Sequence, residues 1–394
     1  MVSAALWTCL FLLHFEQVRG VGTIETDFLP NKRVYTLIGE NGVGKTKFLE
    51  CLFTLLFLVN EEIQKHGGLI KVENVPFKKV IINSEDYLNI EDIKDKLFND
   101  HIHLSNISNS FKQNLNSSLV YIPAQNRSNL RKKSDNIGRL GDRKERTERY
   151  FKDMFNVLSE ENQDLRDLNS DINIQEWIIQ RAQSSNPYQS KEDNREIEIT
   201  TLLKLLNQID ERIDANFLEI SGDNRVFIKI ENQKRELSEL SSGFTSIFKI
   251  IQTIIAGYSY FTNEVQIANV RGIVLIDEIE SHLHNEWQVK IIPLLKQLFP
   301  NTTFFITTHS SLVISQLEDG EAYRLQRETD GVVYGKAIAH PSNASIIDLL
   351  NEAFNVDLNK LKIERTQGQS ESQKAAKQAL LKLVQQELAK GAEK

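Results

Sequence analysis

The stretch Gly39-Glu40-Asn41-Gly42-Val43-Gly44-Lys45-Thr46 has the spacing of a phosphate-binding loop. Its glycines let backbone N–H groups curl around an anion. The apolar helix expected after it presents its positive N-terminus to the same anion. In that pattern Lys45 reaches the outer phosphates and the Thr46 hydroxyl is a ligand for Mg²⁺. Asn41, Gly42 and Gly44 supply loop backbone, so the candidate nucleotide contacts are Asn41, Gly42, Gly44, Lys45 and Thr46.

Further candidates close apolar runs. Asp277 follows the run Ile273 to Ile276 and is placed to hold Mg²⁺, directly or through water. Glu278 beside it suits a base that polarises or positions an attacking water. A pair of acids at a strand end also serves as a helix N-cap. His309 ends "FFITTH", where a neutral imidazole can bond a phosphate or the water; a satisfied core histidine is the structural alternative. Gln125 follows "VYIPA" and is within reach of a metal or the water, a weaker signal because a lone Gln after a strand is common. Ser241-Ser242-Gly243 reads first as a helix cap, since Ser and Gly accommodate exposed N–H groups.

Positioning these residues calls for buried strands alternating with long helices. "RVYTLI", "SLVYI", "GIVLI" and "TTFFIT" are strand-like apolar runs, and the candidates sit at their carboxyl ends. The pattern predicts an α/β core with a mostly parallel sheet. Residues from about 145 to 215 read as helical, with Leu202, Leu205, Leu206, Ile209 and Ile213 on one stripe. Two strands around a Gly-Asp-Asn turn follow. The expected divisions are 1–140 and 221–340 for the two parts of the core, 141–220 for an inserted helical arm or lid, and 341–394 for a helical tail. Leu380, Leu381, Val384 and Leu388 form an apolar stripe in that tail.

The 394 residues are 40% apolar and 26% charged, with net charge −7, a balance that gives no general nucleic-acid signal. Two cysteines, Cys9 and Cys51, form neither a disulfide framework nor a metal-ligand spacing, which fits a reducing, cytoplasmic setting. The opening run "MVSAALWTCLFLLHF" lacks a basic n-region and is read as part of a buried first strand. No segment is long enough to span a membrane.

The P-loop, Gln, Ser-Ser-Gly, Asp-Glu and His occur in the order found in ABC-type ATPases. The chain resembles the SMC/RecF/Rad50-like and OLD-like branch of that superfamily, including ATPase subunits of bacterial anti-phage systems. The likeness covers about residues 10 to 340, interrupted by the insertion. It implies an ABC-type P-loop ATPase head with a mixed β-sheet core, using ATP and Mg²⁺. Thr46, Asp277 and Gln125 would serve the metal, and Glu278, His309 and Gln125 hydrolysis. It implies head-to-tail association, with Ser241, Ser242 and Gly243 of one copy closing over ATP held by another. Glu280 to His284 would touch the opposite site. Two departures blur individual contacts: a second Ser and Phe244 stand where Gly and Gln are familiar, and Asn285 replaces a proline.

Few acids in strand-ending positions follow residue 340, so no TOPRIM nuclease domain is expected. The resemblance then implies a separately encoded effector, a nuclease or a toxin. A nucleotide-gated scaffold and a DNA-repair ATPase are the alternatives. Arg127, Arg131, Lys132, Lys133, Arg139, Arg143, Lys144, Arg146 and Arg149 form a basic stretch, read as a mobile loop that could hold DNA phosphates, dock a protein or simply be solvated.

Overall fold

The computed structural model describes residues 12–90, 101–104, 115–125, 137–159, 173–190 and 192–354, with single positions between and beyond them, Arg127 included. The first eleven residues, Arg131 to Lys133 and the tail leucines lie outside the described residues.

A ten-stranded sheet organises the chain. Its order is β6 (Glu85–Asn89), β5 (Lys79–Ile82), β1 (Leu12–Val18), β2 (Gly22–Asp27), β15 (Val333–Ala337), β14 (Ala322–Arg327), β3 (Val34–Ile38), β13 (Thr302–Thr307), β12 (Gly272–Ile276) and β8 (Ser118–Ile122). The run from β14 to β8 is parallel, and the other flank is largely antiparallel, so the sheet is mixed. Strands β3, β8 and β12 are buried throughout, which explains their largely apolar sequences. Register places Ile276 opposite Ile122 and Ile306, and Ile306 opposite Thr36. These neighbouring parallel strands therefore end at one level.

Alternate residues feed two cores. Ile273 and Leu275 face one with α1 (Lys45–Leu58) and α2 (Arg143–Ser159). Val274 and Ile276 face the other with α3 (Ile174–Gln183), α4 (Glu196–Ile209), α5 (Ser242–Phe261) and α6 (Ile291–Leu298). Two small sheets flank the large one: β4 (Leu69–Lys71) with β7 (His101–His103), and β9 (Ile213–Ile220), β10 (Val226–Ile230) and β11 (Gln233–Glu236). The helix α7 (Ile346–Phe354) closes the described part.

Three sequence expectations change. The helical stripe stops at Ile209, and the fully buried Ile213 opens β9. Asp210 ends the helix: its carboxylate accepts the Arg212 N–H and pairs with the Arg212 guanidinium. The two expected strands are three, because left-handed Glu231 and Asn232 turn the chain into β11. The basic stretch is partly helix and partly core. Arg143 begins α2, while Arg127 and Arg146 are each 1% exposed and so are withdrawn from any DNA surface. Arg139, Arg143, Lys144 and Arg149 are exposed, interleaved with exposed Asp142, Glu145 and Glu148.

Helices α2, α3 and α4 pack into the two cores. Tyr150 of α2 stacks on Tyr260 near the end of α5, and the Thr147 hydroxyl donates to the Tyr260 carbonyl. A buried ionic cluster joins α3 to α4: the Arg181 Nε donates to Glu198 at 2.6 Å, and Arg195 donates to its other oxygen. Glu198 is fully buried. Removing it strands two desolvated guanidinium groups, so Glu198→Ala is expected to cost about 3–5 kcal/mol. Urea unfolding of the variant measures this, and a loss below ~1 kcal/mol would show that the arginines do not depend on that carboxylate.

Candidate nucleotide site

Gly39 has φ 146° and Gly44 φ 116°, backbone that side chains rarely adopt. A Cβ on Gly39 would lie 2.6 Å from the Leu325 carbonyl oxygen, and one on Gly44 2.9 Å from Val21 Cγ1. The loop thus turns tightly against its neighbours. Gly44 caps α1 with no side chain, and no acid occupies the first turn. The helix start is a set of unblocked N–H donors with positive potential.

Lys45 is 6% exposed, and its ammonium donates to the Gly39 and Glu40 carbonyls at 2.9 Å each. Burial pulls its pKa down to about 8, against the attraction of Asp277, Glu278 and Glu280. Asn41 and Gly42 lie exposed at the tip of the same loop.

Asp277 leaves the end of β12 and is 5% exposed. The Thr46 hydroxyl lies 3.1 Å from both of its carboxylate oxygens, although the two residues are 231 positions apart. Burial raises the Asp277 pKa, while hydrogen bonds from Thr307 and Thr46 oppose the rise. Thr307, the last residue of β13, links the acids: its hydroxyl donates to Asp277 Oδ1 at 2.6 Å and accepts the Glu278 N–H at 2.7 Å. Glu278 adopts φ 45°, and the Ser281 hydroxyl donates to its Oε2 at 3.1 Å.

His309 is held through its backbone. Its N–H donates to Glu280 Oε1 at 2.6 Å, and the neighbouring Thr308 hydroxyl donates to Oε2 at 2.7 Å. The half-buried imidazole lies nearly parallel to Phe354 of α7, with ring centroids 6.3 Å apart. Burial, then the Lys45 charge, lower its pKa, which favours the neutral ring.

The start of α5 packs against the loop that follows Glu278. Ser241 caps the helix, its hydroxyl accepting the Phe244 N–H at 3.4 Å. Ser241 and Ser242 are exposed, whereas Gly243 is buried against the loop Glu280 to His284. A Cβ on Gly243 would come 3.3 Å from the His284 ring and 3.4 Å from the His282 carbonyl. The Ser246 hydroxyl also donates to the Ser281 carbonyl at 3.3 Å. Gly243 thus borders the loop that follows Glu278, with Ser241 and Ser242 exposed just ahead of it.

The structure gathers Lys45, Thr46, Asp277, Glu278 and His309 about the ends of β3, β12 and β13. Gln125 is different: it lies exposed in the turn after β8. Arg127, two residues later, reaches inward, and its Nη2 donates to the carbonyls of Asp277, at 2.9 Å, and of Glu278. Sequence reasoning missed this role, as well as those of Thr307 and Glu280. The first Thr of "ITTH" and the acid two beyond Glu278 were the available signals.

A magnesium nucleotide suits this donor set. The loop and helix start offer N–H groups to phosphates, and Thr46 and Asp277 are hard oxygen ligands. Among the described residues no group of three or more His, Cys, Asp or Glu is arranged to hold a metal by itself. A metal at Thr46 and Asp277 would thus take its remaining ligands from phosphate and water, the usual habit of Mg²⁺.

Residues 34–315 match the family described as "AAA domain, putative AbiEii toxin, Type IV TA system". The chain belongs to this family. Its membership is that of a P-loop ATPase family, in keeping with the ABC-like ATPase resemblance of the sequence. Septu protein PtuA of Bacillus mycoides (strain KBAB4) is 26% identical over 330 residues, 81% of this chain and 40% of the relative. The chain therefore spans well under half of that relative's length. The Retron Ec83 "probable ATPase" of Escherichia coli is 22% identical over 80% of this chain and 71% of its own length. Among solved structures, an SmcHead bound to the C-winged helix domain of ScpA is 11% identical, with TM-score 0.45, over 84% of this chain and 97% of that one. Among the described residues no helix is long and apolar enough to cross a membrane.

Proposed function

We propose that this chain is an ATP-hydrolysing switch whose sites are completed by head-to-tail association, and that it governs a separate effector in anti-phage defence. The observation that supports it best is the Thr46–Thr307–Asp277–Glu278 hydrogen-bond arrangement beside the P-loop. It supports reading Thr46 and Asp277 as a metal-ligating pair beside a carboxylate suited to act on water.

In this reading the loop N–H groups and Lys45 hold the phosphates. Thr46 and Asp277 hold Mg²⁺, which would neutralise charge on the phosphate oxygens. Glu278 orients water and accepts its proton, and neutral His309 donates to the outer phosphate. Ser242 and the Gly243 N–H, at an exposed helix start, donate to ATP bound by a second copy. ATP then binds the associated form better than the separated one and so stabilises it. Exposed Gln125 reports on the site, and a metal contact would require it to turn inward.

Residues 1–140 and 221–340 form the ATPase core in this scheme, with 141–220 as insertion and 341–394 as tail. The effector is a nuclease or a toxin, and the setting is the cytoplasm. The names of the relatives support the defence context.

Lys45→Met tests the foundation. It removes the ammonium but keeps an apolar stem, so folding is expected to survive. ATP affinity should fall at least ~10-fold, the scale of one charge-assisted contact of about 1.5–3 kcal/mol. Titration with a fluorescent ATP analogue reads this, and unchanged affinity would remove the P-loop from the proposal.

A further inference from the structure

Arg127 is a guanidinium with almost no access to water, in a segment whose sequence reads as a polar loop. It is 1% exposed, and burial lowers its pKa to about 10, so it is charged at neutral pH. Asp277, Glu278 and Glu280 are the carboxylates whose charge offsets that burial. Its Nη2 is shared by two successive carbonyls, those of Asp277 and Glu278. Its Nε and Nη1 have no partner among the described residues. A buried charge kept in so costly a place calls for an explanation.

The backbone it grips supplies one. Glu278 sits at φ 45°, left-handed backbone that is unfavourable for a side chain larger than glycine. Besides the local bond from the Ser281 N–H to the Glu278 carbonyl at 2.9 Å, three contacts from other elements hold it there. The Glu278 N–H donates to Thr307, the next residue's N–H donates to the Thr307 carbonyl at 3.1 Å, and Arg127 binds the carbonyls on both sides of the Glu278 amide-to-carbonyl unit. The first two contacts come from β13. Of these three, the Arg127 contact is the one that brings in the chain that follows β8. One nitrogen of a planar, buried guanidinium addresses both carbonyls; a lysine would bring its ammonium on a flexible stem with no plane to fix its direction.

We propose that Arg127 is the positioning residue for Glu278: it holds the strained backbone that aims the carboxylate, and it ties that backbone to the segment around Gln125. Arg127 thus acts on hydrolysis through Glu278 and has no part in holding the nucleotide. The inference rests on the hydrolysis reading above, and it assigns a role to a residue that sequence alone read as one of a basic stretch, solvated or facing a partner.

The test uses the full chain carrying Arg127→Lys, Glu278→Gln, or both, with ATP turnover, affinity for a fluorescent ATP analogue and thermal unfolding followed in parallel. Arg127→Lys is expected to lower kcat by roughly 10-fold or more while KM and analogue affinity change by less than about twofold. In the Glu278→Gln background the same change should cost less than about twofold, because residues that act as a unit are not additive. With Arg127→Ala, added guanidinium should restore kcat and added ammonium should not; failure of that variant to fold leaves the Lys variant and the double variant to decide. Normal kcat in Arg127→Lys would overturn the proposal. So would an equal loss of turnover in both backgrounds, or a loss confined to affinity. If Glu278→Gln alone turns over normally, the hydrolysis reading falls. If Glu278→Gln is inactive and Arg127→Lys is normal, only the positioning role falls.

Discussion

Replacing Glu278 with Gln is expected to reduce ATP turnover by about 10²–10⁴-fold, the range in which a positioned base contributes. The substitution keeps size and hydrogen-bonding capacity but removes the basic carboxylate. Glu278 is held by backbone contacts that Gln also makes: its N–H to Thr307 and its carbonyl to Arg127. The Ser281 hydroxyl can donate to a Gln oxygen as it does to Glu278 Oε2. Folding and ATP affinity should therefore change little. If ATP favours the associated form, slow turnover should let that form accumulate, which light scattering with Mg²⁺ and ATP would detect. Phosphate release measures the rate, and a rate within twofold of the unaltered protein would remove Glu278 as the base. The same variant separates two roles in the cell. Lost turnover with phage protection intact would favour a nucleotide-gated scaffold over a hydrolysing switch.

Ser242→Arg should produce the opposite pattern: ATP held normally by the same chain, but no ATP-driven association. Ser242 is exposed at the positive end of the 20-residue helix α5, and its hydroxyl is not the capping group; Ser241 is. An arginine there adds bulk that blocks close approach to the helix start, and a positive charge that the positive end of the helix disfavours. Stability is expected to change by less than ~1 kcal/mol, as for an exposed position. Turnover should drop at least ~100-fold, comparable with losing a donor to developing charge. Mixing gives a sharper result. Ser242→Arg retains its P-loop, and Lys45→Met retains its helix start, so one complete site forms when the two pair. Random pairing makes half the dimers mixed, with one good site in two, so up to about a quarter of full activity should return. Association at normal strength in Ser242→Arg alone, or no recovery on mixing, would refute contact between copies at this helix.

The local parts of the site were legible because their chemistry depends on neighbours in sequence. The glycine spacing from Gly39 to Gly44 encodes positive φ and close approach, and Lys45 begins the helix as expected. The strand ahead of Asp277 was readable as an unbroken apolar run, since both faces of β12 are buried. Ser241 is the helix cap that its residue type suggested. The reading failed where a residue's partner lies far along the chain. Arg127 and Arg146 looked like solvated charges because arginine is rarely buried, yet each finds carbonyls inside the fold. Ile213 continued a helical period past Asp210, where a local turn overrode it and a strand began.

By itself, then, the amino-acid sequence determined the phosphate loop, the apolar strands and the helix start, because glycine torsions, hydropathy period and capping act over a few residues. Only the tertiary structure decided what meets what. Strand order put β3 beside β13 and β13 beside β12, so Thr46 met Asp277 and Thr307 linked Asp277 to Glu278. Burial then chose Arg127, and not exposed Gln125, as the side chain that reaches the acids. Those outcomes depend on crossover connections and on the cost of desolvating charge, and neither is written in any short stretch of the chain.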